Sequence, residues 1–94
     1  MLGLRQGTIA VVPNPLYARG LRRVLGWSDG SAAVVTSDVG APVAGRVARL
    51  VAHEAGHLER LGHCRRRTCL ARSVATPEEL DALDAFCPRC AAIL

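Results

Sequence analysis

Lysine is absent from this 94-residue chain, and all twelve of its cations are arginine. We read that as a compositional bias rather than a mechanism. The formal charge of +4 counts the four cysteines as neutral thiols. Four thiolates around one zinc ion would lower it by two, so the basic character is mild and calls for no particular polyanion. Aromatic residues are nearly as scarce, being limited to Tyr17, Trp27 and Phe86. The core must then be built from Val, Leu and Ala. Around Arg65, Arg66 and Arg67 no rings interleave for base stacking, which argues against a nucleic-acid partner. Long apolar runs are missing too. Nothing approaches the roughly 20 residues of a membrane helix, and "MLGLRQG" at the start lacks the apolar stretch of a secretory signal. The expectation is a cytoplasmic, reducing setting, where clustered cysteines bind metal more often than they form disulfides.

What is present is enough for one small domain over residues 1–94. Half the chain is hydrophobic, which excludes a disordered tail. "GTIAVV" (residues 7–12) reads as a strand closed by Pro13 and Pro15. "LYARGLRRVL" (16–25) is ambiguous between strand and helix. "GWSDGS" is a turn signal with its reversal at Asp29-Gly30, and "AAVVTS" (32–37) is a second strand. Pro42 suits the first turn of a helix. From Val43 to Leu58, apolar residues at Val43, Val47, Leu50, Val51 and Leu58 give helical periodicity, with Arg46, Arg49 and Glu59 on other sides. After an irregular stretch, Thr76, Pro77 and Glu79 form the signature of a capped helix start. "CPRC" closes that helix. Residues 1–63 thus read as strands plus a helix, and residues 64–94 as a cysteine-bearing segment.

The densest chemistry is "HEAGHLERLGHC". His53 and His57 lie four apart on the expected helix and project from one face, about one turn apart. Two imidazoles so placed reach one zinc ion at about 2.0–2.1 Å. Glu54, beside the first ligand, is placed to take a proton from metal-bound water rather than to bind the ion. His63 joins them only if the chain turns sharply after residues 58–59, where Gly62 loosens the backbone. Three histidines leave zinc a fourth, open position, as in catalytic sites. Cys64, Cys69, Cys87 and Cys90 form two close pairs, the requirement of a closed tetrahedral zinc site. Two disulfides are the competing arrangement. Because Cys64 directly follows His63, the closed site would fix the third histidine. Trp27 reads as core or as pocket lining, and Glu59 as a surface residue.

Together, "HEAGHLERLGHC", "CRRRTCLA" and "CPRC" resemble the zinc motif and cysteine pattern of the archaemetzincins, a family of metzincin-type zinc peptidases. The likeness covers residues 53–90, with a weaker one over "LYARGLRRVLGWSDGSAAVVTS". Arg60 stands where the family has glycine and Ala71 where it has methionine. The spacer before the last cysteine pair is two residues shorter, and the chain begins partway through the family's catalytic domain. The resemblance implies an α+β fold: a minimal metzincin-like zincin core, a small strand region packed on the zinc-binding helix, and a four-cysteine zinc subdomain. It implies His53, His57 and His63 on a catalytic zinc, Glu54 as general base and acid, and Cys64, Cys69, Cys87 and Cys90 on a second, structural zinc. The expected function is hydrolysis of peptide bonds in a peptide or protein substrate by zinc-bound water. The strand at 32–37 would pair with the extended peptide. The alternative is a non-catalytic zinc module that keeps both metals and serves interaction. No membrane partner is expected, and an exposed sheet edge could pair with a second copy.

Overall fold

The computed structural model describes residues 6–94, so most of the stretch examined for a secretory signal lies outside the described residues. The apolar Ile-Ala-Val-Val run forms β1 (Ile9–Val12). Residues 16–25 are neither one strand nor one helix. They fold as β2 (Leu16–Tyr17) and β3 (Arg23–Val24), an antiparallel pair joined by a 3-10 turn at Arg19–Leu21. Gly20 and Leu21 both take positive φ there, which neither a helix nor a strand would allow.

The stretch read wholly as a turn begins with a strand, β4 (Gly26–Ser28). The reversal itself falls at Asp29-Gly30 as expected. The Asp29 carboxylate accepts from the backbone N–H of Ser31 and Ala32, and Gly30 sits at φ 88°. The chain returns as β5 (Ala33–Thr36), which pairs in parallel with β1 and antiparallel with β4. The sheet order is therefore β1-β5-β4, and β5 is its centre. Central position explains composition: Ala33, Val35 and Thr36 are fully buried, and the Thr36 hydroxyl donates to the Asn14 carbonyl at 2.7 Å.

α1 (Val43–Leu58) spans the expected residues, with Pro42 just before it at the N-cap. It lies on the sheet through Leu50, with Val47 and Val51 beside it. Leu25, Val35, Val39, Leu50, Leu80 and Leu83 form one buried cluster, so the cysteine-bearing segment supplies part of the same core. Burying each of those two late leucines contributes about 1.5–3 kcal/mol.

Arg46 departs from the expected polar face. It is buried, its guanidinium donating twice to Asp81 (3.0 and 2.8 Å) and once to the Val39 carbonyl (2.7 Å). Arg49 likewise reaches the Leu83 carbonyl at 2.8 Å. Long side chains leave the helix surface to satisfy the backbone of the segment packed over it. The capped helix is shorter than its pattern suggests. α2 covers only Pro77–Leu80, with its capping box formed. The cysteine pair opens a further helix, α3 (Pro88–Ile93), instead of ending the previous one. Pro88 at the first helical position is the signal the sequence reading passed over.

Candidate metal centre and cleft

The last two turns of α1 present His53, Glu54 and His57. Nδ1 of His53 lies 2.8 Å from the Leu70 carbonyl, and Nδ1 of His57 lies 2.8 Å from the Leu61 carbonyl. A carbonyl only accepts, so each ring carries its proton on Nδ1 and turns an Nε2 lone pair inward. The two Nε2 atoms are 3.0 Å apart. Two lone pairs so placed are set out as the imidazole ligands of one cation would be. His63 completes the group, its ring 4.8 Å from that of His57 and 5.5 Å from that of His53. One nitrogen from each of the three lies within 4.8 Å of the others. Burial pushes the His53 and His63 imidazoles below their ordinary pKa, which favours the neutral, ligand-ready form.

What brings His63 round is the end of α1. The Arg60 N–H donates to the His57 carbonyl and the Leu61 N–H to the Gly56 carbonyl, both at 2.9 Å. That pair of bonds is a Schellman turn, and it requires a left-handed residue just past the helix. The residue is Arg60, at φ 66°; Gly62, where the sequence reading placed the loosened backbone, is not left-handed. An arginine there costs about 1 kcal/mol relative to glycine. His63 itself makes no side-chain hydrogen bond among the described residues and is held through the backbone on either side.

Glu54 is buried, and its Oε2 has no hydrogen-bond partner. Burial raises its carboxyl above the ordinary value, opposed by the charge of His57. The carboxylate fits because β4 carries glycine opposite it: a Cβ on Gly26 would stand 2.9 Å from Oε1 of Glu54. The cleft so formed has a volume of about 500 Å³. β4, the β3 end of the hairpin and residues 73–75 wall it, and the three histidines and Glu54 lie within it. Trp27 is 45% exposed and lines this cleft, so of its two readings pocket lining holds and core does not.

The four cysteines converge as well, one sulfur from each within 4.8 Å of the rest. All are free thiols, and the Cys64 and Cys87 sulfurs are 3.9 Å apart, far beyond the roughly 2.05 Å of a disulfide. The Cys69 sulfur accepts from the backbone N–H of Ala71 and of Cys87, each at 3.4 Å. The Cys90 backbone N–H draws the Cys87 thiol down to about 7, while burial pushes Cys90 up to about 12. Deprotonated together, four sulfurs at this spacing would hold a cation, and the donor set suits zinc. Ala71, buried with Leu61, Cys69 and Cys90, belongs to this cluster.

Three features escaped the sequence reading: Gly26 opposite the glutamate, and the Leu61 and Leu70 carbonyls that orient the histidines. Only Gly26 carried a signal, as a glycine that opens a strand. One expectation is overturned. The strand at 32–37 cannot accept a peptide, because β5 is paired on both sides; among the described residues, the strand with an open edge at the cleft is β4.

An archaemetzincin from Methanopyrus kandleri superposes on 99% of this chain and 56% of its own, with a TM-score of 0.84 and 32% sequence identity. The chain is similar to the archaemetzincins. An archaemetzincin from Archaeoglobus fulgidus, complexed with malonate, matches the whole chain over 64% of its own at 28% identity and a TM-score of 0.87. A zinc-dependent peptidase from Methanocorpusculum labreanum matches 90% of it over 52% of its own, at 26% identity and a TM-score of 0.84. It therefore spans between about half and two thirds of the length of these structures. No family model and no curated protein matches its sequence. The fold is the mixed α+β archaemetzincin fold, with the histidine and cysteine groups as its two candidate zinc sites. Among the described residues, no helix is long and apolar enough to cross a membrane.

Proposed function

We propose that this archaemetzincin-like chain is a zinc-dependent peptidase that uses Glu54 as its proton carrier. The observation that carries the reading is a buried carboxylate oxygen without a partner, on the same helix face as imidazoles whose lone pairs converge. A structural metal site has no use for such an oxygen.

His53, His57 and His63 would hold the catalytic zinc, and Cys64, Cys69, Cys87 and Cys90 a structural one. Zinc held by three histidines supplies a Lewis acid that polarises a carbonyl and acidifies water. Glu54 takes a proton from the attacking water at its free Oε2 and delivers it to the leaving amine. The outer edge of β4, unpaired among the described residues, lays an extended peptide along the cleft as an added strand. Trp27 offers that peptide an apolar surface.

The test combines metal analysis with a peptide-library digest of the native protein and Glu54→Gln. Zinc content should be unchanged in the variant, and cleavage should fall about a hundredfold or more. Equal, negligible cleavage by both would assign the chain to the non-catalytic zinc module instead.

A further inference from the structure

A second hollow, of about 330 Å³, lies across His63 from the cleft, and His63 is the one residue that lines both. Its lining includes Leu61, Ile93, Arg65, Arg66 and Arg89, with Cys64 and Cys90 of the cysteine cluster, and no acidic residue among them. Elsewhere Arg23, Arg46 and Arg72 each hold a carboxylate. The three arginines of the hollow hold none, and make no side-chain hydrogen bond among the described residues. In the cleft itself Glu54 is the sole acid, and Arg22 joins the lining.

We propose that this hollow is a subsite for a carboxylate of the peptide substrate, an inference that rests on the peptidase reading. Guanidinium pairs match the two oxygens of a carboxylate, and the apolar walls suit the methylenes that carry it. Neutralising the cysteine centre does not account for all of this. Four thiolates on a divalent ion carry a formal −2, against +3 from the arginines, and such a role needs no hollow. The volume sits at the small end of ligand-sized pockets and admits a single side chain or chain end. A nucleic acid would want Phe, Tyr or Trp rings to stack on, and none lines the hollow, whose one ring is the imidazole of His63. The shared His63 shows that the hollow adjoins the cleft, close enough for one peptide to reach both. Because the guanidiniums are exposed, the preference is modest and weakens with salt.

The carboxylate could come from a chain end or from an Asp or Glu side chain, and matched peptides separate the two. One series carries Glu or Gln near the cleaved bond with an amidated C-terminus; the other carries neutral side chains with a free or amidated C-terminus. The zinc-loaded protein should cleave one acidic series about three- to tenfold better than its neutral match at low salt, through KM. Arg89→Gln and the triple change of Arg65, Arg66 and Arg89 to Gln should erase that preference while leaving the neutral peptide's turnover and the zinc content intact. Arg89→Lys should restore part of it. Binding of the same labelled peptides to Glu54→Gln by fluorescence anisotropy reads the subsite without chemistry, so it answers even if no peptide is cleaved. Equal affinity for acidic and neutral peptides overturns the proposal, as does a preference the triple variant keeps. A single-stranded oligonucleotide that binds more tightly than any peptide and is lost in the triple variant overturns it in favour of nucleic acid.

Discussion

Gly26 shows how one missing methyl group sets up a site. Its absent Cβ leaves the room that Oε1 of Glu54 occupies. Gly26→Ala should displace that carboxylate, so peptide cleavage should fall at least about tenfold with zinc retained; displacements of about 1 Å commonly cost a hundredfold. Unchanged cleavage would separate the two residues. Arg60 is the opposite case, a side chain where none is wanted. Arg60→Gly should raise unfolding stability by up to about 1 kcal/mol in a urea titration, since it removes left-handed strain at an exposed position. That His53 and His57 face one another was legible because a four-residue interval fixes a helix face. Gly26 was not, because its meaning depends on a partner 28 positions later, brought opposite by the sheet.

Between elements, two bonds that start in α1 carry most of the consequence. Arg46 ties α1 to Asp81, just beyond α2, and holds that carboxyl below its ordinary pKa. The unfolded chain then takes up the proton at higher pH than the native one does. This contribution is fully present above about pH 4 and fades as pH falls through the depressed native value. Asp81→Asn should lower the thermal midpoint at neutral pH and flatten the acid limb of the stability curve. The second bond runs from His53 to the Leu70 carbonyl, inside the loop that carries Cys69. With Cys64 adjacent to His63, the cysteine cluster holds two of the three histidines. Cys87→Ser should therefore weaken zinc binding at the histidines by about tenfold or more, measured by competition with a chromogenic chelator. Unaltered affinity would mean that the two groups are independent. Only the second of these links, His63 next to Cys64, could be read along the chain. The first needs a carbonyl whose direction is set by the bridges Cys64 to Arg72 and Cys69 to Ala85.

At the scale of the whole molecule, a core short of aromatic rings is supplemented by two polar clusters that could each hold a cation. Removing metal with a strong chelator should lower the thermal midpoint by more than the loss of one ligand explains, and restoring zinc should reverse it. The helix, its bounds and the membership of the two converging groups were visible in the sequence because each rests largely on local spacing. The sheet order was not. Which of two apolar runs becomes the centre is decided by pairing across more than 20 residues, and β4, three residues long, hid inside a turn signal.

Leu61 uses both ends of its peptide backbone, the N–H to finish α1 and the carbonyl to aim His57. The interval from the second histidine to the third is for that reason counted out by how a helix stops, before any ion arrives. Adding or deleting a single residue there should cost the protein its metal even with all three imidazoles kept.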